Sequence, residues 1–537
     1  MQSATNTRNV HERRRARGMP PLFIWLPAAA IALLMLMPPV YLLVRTLESG
    51  TAGLDVLFSM RTLGILIRTV VLVGIVTGGC AVIGVSLAWL TLRTDLPFRR
   101  AFGLLTALPL AIPSYVFALL VITALGPKGM AQGWLEPLGV DRLPSVFGLP
   151  GAALTLTLLS FPYVMLPVKA ALQRMDPAME EAARSLGRSS AEAFVQVTLP
   201  LLRPAIVAGS LLVALYTLSD FGAVSLLRYQ TFTWVIFIQY ETAFDRSIAA
   251  ALSLALTALA IALLIAESRT RGSAVYHRVT PGAQRTPHIA SLGAWRWPAT
   301  LYAAAVVVLS LAGPMAVLVY WVVRGVSAGE PLDLLWSNTL STIYVSAMAA
   351  VAVAIAATPV ALLTVRYPGW VASALERLAY VGFALPGLAV ALAFVFFGAA
   401  VLTPVYQTTF LLVTAYVVLF LPASVGATQT ALKQVSPRLE EAARSLGKTP
   451  FHAFRLVTLP LLSKGIAAGA ALVFLLTMKE LPATLILSPT GFRTLATSVW
   501  AAASEAFFAR AAMPAILLIV AAGVPTTLLI LREQEER

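Results

Sequence analysis

Two carboxylates stand where so apolar a chain has little reason to keep one. Asp220 lies in SLLVALYTLSDFGAVSLL and Glu480 in ALVFLLTMKELPATLIL. A charged side chain inside an apolar run is costly and by default marks a site. Carboxylate oxygens are the ligands a hard cation prefers, so the pair suits the entry of a path for such an ion. The same residues also fit an interfacial pair satisfied by Lys479, Ser219 or water. Gly222 and Pro482, just beyond, can unwind or kink a helix there. Tyr216 is a weaker path candidate, and Tyr229 and Tyr240 fit interfacial anchors. Other chemistry is thin. Cys80 is the single cysteine, and His11, His277, His288 and His452 are scattered, so no metal centre is expected. There is no His-Glu-x-x-His and no nucleophile elbow. Gly447-Lys448-Thr449 imitates the end of a phosphate loop, but Ala442 stands where the first glycine is required. The chain is therefore expected to hydrolyse no nucleotide and to bind no cofactor of its own.

A polar stretch present twice carries the strongest pattern. Residues 180–206 read EEAARSLGRSSAEAFVQVTLPLLRPAI and residues 440–466 read EEAARSLGKTPFHAFRLVTLPLLSKGI. A helix facing lipid needs only apolar residues of the right length, so a polar segment kept in duplicate points to a specific partner surface. Each copy reads as two short helices. Asp176 or Ser436 caps the first, with Pro177 or Pro437 in its first turn. Glu180 and Glu181, like Glu440 and Glu441, then lie at the positive end of the helix dipole. Gly187 or Gly447 ends that helix in a left-handed conformation. Ser189 with Glu192 has capping-box spacing, and Thr449 caps the other copy before Pro450. Ala193, Phe194 and Val197, repeated as Ala453, Phe454 and Val457, form a small apolar face. Pro200 and Pro460 are expected to close the loop before the next apolar run.

These loops hang between membrane spans. The 537 residues are 59% hydrophobic and 12% charged, with mean hydropathy +0.84. Soluble chains carry about twice that charge, so this is an integral membrane protein. The net charge of +15 is spread through short loops and is a topology signal, with no nucleic-acid patch. Twelve runs approach the roughly 20 residues of a spanning helix: 22–44, 66–92, 102–125, 149–172, 204–226, 248–266, 300–323, 339–365, 378–402, 405–430, 464–488 and 511–531. Lys and Arg density places both termini and both duplicated loops in the cytoplasm. Thr69–Arg93 aligns with Thr342–Arg366, Pro113 with Pro386, Pro162 with Pro422 and Asp220 with Glu480. Six spans separate matching points, so the halves are parallel repeats. The expected organisation is a cytoplasmic tail 1–21, a first half 22–266, a linker 267–297 and a second half 298–537. Asp220 and Glu480 lie roughly 24 Å beyond their helix starts at 1.5 Å per residue, near the outer mouth. Related by an axis along the membrane normal, they are expected to face one another.

The duplicated motif resembles the cytoplasmic loop of ATP-binding-cassette importer permeases. It reads Glu181-Ala182-Ala183, Gly187, Val197, Leu199-Pro200, and again Glu441-Ala442-Ala443, Gly447, Val457, Leu459-Pro460. Valine replaces the usual isoleucine. The resemblance covers about residues 60–266 and 335–535. It implies an all-α membrane fold of the type I importer permease class, with about twelve spans in two parallel six-helix repeats. It also implies a multi-pass protein of the bacterial inner membrane. Two copies of a cytoplasmic ATPase, which use ATP and Mg, then dock at the two loops, and a periplasmic or extracellular binding protein delivers substrate. The fused halves and Glu480-Leu-Pro-Ala-Thr resemble ferric-iron permeases. Permeases for thiamine, polyamines, sulfate or phosphonates are similar at this level. A gradient-driven secondary transporter is the rival class, but it has no use for a docking motif in each half.

Overall fold

In the computed structural model, residues 20–535 are described except 49, 128, 142, 176–177, 243–246, 271–288, 331–332 and 384. Twelve helices take the places of the twelve expected spans. They are α1 (Leu22–Glu48), α2 (Met60–Arg93), α3 (Ser114–Leu125), α4 (Pro162–Arg174, led in by Leu149–Ser160), α5 (Leu199–Ser219) and α6 (Ser247–Thr270). Then follow α7 (Gly313–Ser327, led in by Arg296–Val307), α8 (Asp333–Arg366), α9 (Gly387–Ala400), α10 (Thr409–Gln434), α11 (Leu459–Met478) and α12 (Phe508–Glu535). Among the described residues ten segments are long and apolar enough to cross a membrane, and α9, Leu495–Ser504 and Phe508–Gly523 of α12 are apolar but shorter. Helices satisfy every backbone donor and acceptor internally, as a bilayer demands.

Several expected spans are not single runs; 204–226 and 464–488 break at Asp220 and Glu480, and two others break just ahead of a proline. Residues 102–125 divide into Arg99–Leu105, a 3-10 turn Leu108–Ala111, and α3. Residues 378–402 divide likewise into the end of Trp370–Tyr380, the turn Val381–Phe383, and α9. Pro113 and Pro386 stand immediately before α3 and α9. A proline drives its predecessor out of the helical region, and Ile112 is extended at φ −82°, ψ 125°. The proline pairing found by alignment thus marks a break repeated in both halves.

Packing and sequence repeat partition the chain differently. One compact unit comprises Met1–Ser49 with Asn338–Thr494, the other Gly50–Ser337 with Leu495–Arg537. In the first unit α1 lies against α9 and the Trp370–Tyr380 helix. The Tyr41 hydroxyl donates to the Phe396 carbonyl at 3.2 Å, and its ring meets Phe397 edge-on at 5.6 Å. In the second unit α12 lies against α7 and the Leu495–Ser504 helix, and Arg510 pairs with Glu330 at 3.4 Å. The hydroxyls of Ser86 and Tyr302 share a hydrogen bond of 2.7 Å. The first helix of the first repeat therefore packs among second-repeat residues. The helix that opens the second repeat packs among first-repeat residues.

Small residues set the closest approaches. α2, α4 and α5 pack on one another, and a Cβ at Gly209 would lie 2.7 Å from both Tyr163 O and Val164 Cα. At Gly84 it would meet the Met165 nitrogen at 2.9 Å. Such contacts are how membrane helices gain dispersion energy when lipid already satisfies their apolar faces. Gly209→Val forces backbone apart and should destabilise the protein by about 1–3 kcal/mol, read as a lower Tm in detergent. Gly469→Ala meets the Ser424 hydroxyl at 2.9 Å, a group that can rotate, and should cost less.

Candidate functional site

Both copies of the duplicated stretch fold alike. The first helix is Ala178–Ser185 in one copy and Pro437–Ser445 in the other. Ser436 caps the second copy, its side chain accepting from the Arg438 N–H at 3.4 Å. Asp176 and Pro177, expected to do the same, lie outside the described residues. Gly187 and Gly447 have φ of +87° and +82°, the left-handed conformation expected of them. The Lys448 N–H donates to Ala443 O at 3.2 Å and the Gly447 N–H to Arg444 O at 3.0 Å, a Schellman pair that closes the helix end. In the other copy the Arg188 N–H donates to Ala183 O at 3.3 Å.

The second helix starts as the sequence predicts. The Ser189 N–H donates to Glu192 Oε2 at 2.9 Å, and the Glu192 N–H donates to Ser189 Oγ at 3.2 Å, a reciprocal capping box. Those bonds, the backbone one first, hold the exposed Glu192 carboxyl below the ordinary range, and Arg188 adds to the effect. In the other copy Thr449 accepts from the His452 N–H at 3.4 Å and shares a 2.8 Å hydrogen bond with His452 Nδ1.

Pro200 and Pro460 do not close the loop. Ser190–Ala193 runs through a π-helical turn, Phe194–Thr198, straight into α5. Pro450–Ala453 runs through Phe454–Thr458 into α11. The Leu199 and Leu459 N–H groups donate five residues back, to Phe194 O and Phe454 O. A wider turn makes room for a proline ring that would press on the carbonyl four residues before it. Each loop helix and its span are consequently one continuous rod.

The two loops expose equivalent residues. Glu181 and Glu441, Ala182 and Ala442, and Pro200 and Pro460 are exposed, while Ala183 and Ala443 are half-buried. Leu199 is half-buried and Leu459 slightly more exposed. Glu180 lies in the first helix, and Glu440 Oε2 accepts from the buried Thr458 hydroxyl at 3.4 Å, tying the two helices together. Ala193 and Ala453 are fully buried. Phe194 lies 5.4 Å from Trp89, and Phe23 of α1 lies 5.5 Å from Phe451 and 6.1 Å from Phe454. Leu186 and Leu446, just before the turn glycines, are 83% and 82% exposed. Sequence reasoning passed over these leucines, although their identity in both copies was the available signal. Each leucine stands at the turn, with Arg188 or Lys448 two residues on.

Asp220 and Glu480 mark a helix break in each repeat. α5 ends at Ser219 and a short helix, Gly222–Leu226, begins beyond. α11 ends at Met478 and Pro482–Leu487 begins beyond. Asp220 Oδ1 accepts from the Ala223 and Val224 N–H groups at 3.0 and 3.3 Å. Glu480 Oε1 accepts from the Ala483 N–H at 2.8 Å, and Oε2 from the Thr484 N–H at 2.9 Å and hydroxyl at 2.6 Å. Each carboxylate thus caps a short helix, satisfying donors that the break leaves bare. The Ser114 side chain at the start of α3 lies beside the Asp220 carboxylate. At the start of α9, a Cβ on Gly387 would lie 3.4 Å from Glu480 Oε1. Tyr216 stacks 5.7 Å from Tyr163, and the Tyr229 hydroxyl donates to Arg68 O at 3.0 Å.

Comparison with known proteins agrees with this architecture. The family described as "Binding-protein-dependent transport system inner membrane component" matches twice, over residues 81–271 and 350–531. The "Fe(3+)-transport system permease protein FbpB 2" of Haemophilus influenzae is 35% identical over 515 residues, 95% of this chain and 98% of that protein. The "Sulfate transport system permease protein CysW" of Synechocystis is 31% identical over 200 residues, 35% of this chain and 71% of that one. The "Molybdenum transport system permease protein ModB" of Escherichia coli K12 is 32% identical over 165 residues, 30% and 66% of the two chains.

Proposed function

The chain belongs to the binding-protein-dependent transport inner membrane components, an ATP-binding-cassette importer permease of the type I fold with both repeats fused, and from that premise we propose that it imports ferric iron. Two copies of a separate ATPase dock at 180–200 and 440–460, with both termini and both loops in the cytoplasm. A binding protein delivers the ion at the opposite face. The iron reading rests on similarity to the ferric permease along nearly the whole chain, whereas the sulfate and molybdenum permeases match about a third of it.

The observation that carries the coupling reading is the continuous rod. When an ATPase closes and shifts the Leu186 or Leu446 turn, the displacement has no hinge in which to dissipate. A π turn keeps the helical hydrogen bonding going past Pro200 and Pro460, so α5 and α11 move with their loops. At the far end of each rod lie the capped breaks at Asp220 and Glu480. In this reading those carboxylates line the path, using oxygen lone pairs that the N–H groups leave over.

Reconstitution tests the proposal. The chain, its ATPase and an iron-loaded binding protein, placed in liposomes with ATP on the ATPase side, are expected to accumulate ferric iron. Removal of the ATPase is expected to stop it. Accumulation driven by an ion gradient without ATPase refutes the reading and favours a secondary transporter. ATP-driven uptake of sulfate or molybdate in place of iron refutes only the substrate.

A further inference from the structure

Each repeat holds a buried arginine at the end of its long second helix. Arg93 ends α2 and Arg366 ends α8, equivalent places in the aligned segments, and both are buried, at 5% and 8% exposed. Arg93 Nη2 donates to the Leu172 carbonyl at 3.0 Å. Arg366 Nη2 donates to the Val435 carbonyl at 2.9 Å. Leu172 lies in the last turn of α4, and Val435 follows the end of α10. These are the helix ends from which the two loops hang. The last carbonyls of a helix lack intrahelical partners and carry the negative end of its dipole. A buried guanidinium there is held by charge as well as by hydrogen bonding.

We infer that Arg93 and Arg366 are positioning residues, each latching the root of one loop to the long second helix of its repeat. The inference rests on the proposed coupling role of the loops. A loop is then tied to two helices: its rod, α5 or α11, continuous with its second half, and α2 or α8, through the arginine at its root. The first latch extends further. The Arg93 carbonyl accepts from the Ala290 N–H at 2.8 Å, and the Asp95 N–H donates to Ala290 O at 3.2 Å. Asp95 Oδ1 accepts from the Leu292 N–H at 2.9 Å. Motion at the first loop is thereby passed to the strand of chain that leads into α7. Pro368 stands where the second repeat would need the Asp95 N–H, and it has none to give.

An arginine kept only for stability and an arginine that transmits motion differ in one ratio, substrate imported per ATP hydrolysed. The test uses the whole complex in liposomes, with Arg93→Gln and Arg366→Gln made singly and together, and import and hydrolysis read on the same vesicles. The latch predicts that the double variant stays assembled and hydrolyses ATP, while import per ATP falls at least tenfold. Arg93→Lys with Arg366→Lys keeps the charge and one donor and should recover part of that ratio. It also serves as the readable variant if glutamine prevents assembly. Import and hydrolysis falling in equal proportion, or a wild-type ratio in the glutamine variants, overturns the latch. Failure of the wild-type complex to import on ATP overturns instead the reading on which the latch rests.

Discussion

Gly187→Asp combined with Gly447→Asp should leave the protein in the membrane and abolish ATP-driven import. Neither glycine has any atom within 4 Å of a built Cβ, so no clash follows from the side chain. The backbone is the difficulty, since φ of +87° and +82° costs an L-residue about 1–2 kcal/mol. Aspartate tolerates that conformation better than most residues, yet it sets a negative charge at the C-terminal end of the Ala178–Ser185 and Pro437–Ser445 helices, against the dipole. Relief comes from turning the Leu186 and Leu446 side chains away from their present direction. Both changes fall on the surface proposed to meet the ATPase, where a Cβ on either glycine touches nothing within 4 Å. Import is expected to drop at least about tenfold, equivalent to roughly 1.4 kcal/mol or more of lost coupling, with Tm in detergent nearly unchanged. Gly187→Ala with Gly447→Ala carries the strain without the charge and should fall between. Import at the wild-type rate by the aspartate pair, at equal protein level, removes the loops from the mechanism.

Local chemistry was legible in the residues. Left-handed turns at Gly187 and Gly447, the Ser189–Glu192 box and the Thr449 cap are decided by neighbours within four positions, so spacing alone predicts them. The breaks before α3 and α9 were half legible: Pro113 and Pro386 aligned, but apolar flanks hid the two short helices in an unbroken run. The course of the chain at Pro200 and Pro460 was misleading, because a proline reads as a stop and a π turn that absorbs it leaves no mark in composition. Hydropathy could not disclose that α1 packs among second-repeat residues. In lipid any apolar face is as good as another until small residues and side-chain shape choose, and those choices connect residues such as Tyr41 and Phe397 that are far apart in sequence. The capping role of Asp220 was available in principle, since Ala223, three residues on, lies at the spacing an N-cap serves. A carboxylate in an apolar run draws attention to its charge before its geometry.

Capping and path-lining make opposite forecasts for Asp220→Asn with Glu480→Gln. The amides keep an oxygen able to accept from the Ala223, Val224, Ala483 and Thr484 N–H groups, and asparagine caps about as well as aspartate. If capping were the whole role, the pair should fold normally and import within about twofold of wild type, since a cap swap of a few tenths of a kcal/mol is a factor of about two. A path role predicts far more, because an amide oxygen carries no full charge with which to replace the hydration of a hard cation. Import is then expected to fall on the order of tenfold to a hundredfold, or about 1.4–2.8 kcal/mol of lost stabilisation along the path. ATP hydrolysis should persist, since the loops are untouched. Alanine at both positions separates the two roles again. It strips the cap, leaves several N–H groups bare at about 1–3 kcal/mol each, and should lower the amount of folded protein whichever role is right. Normal import by the amide pair beside poor folding by the alanine pair assigns both carboxylates to holding the broken helices and ends their candidacy as ion ligands.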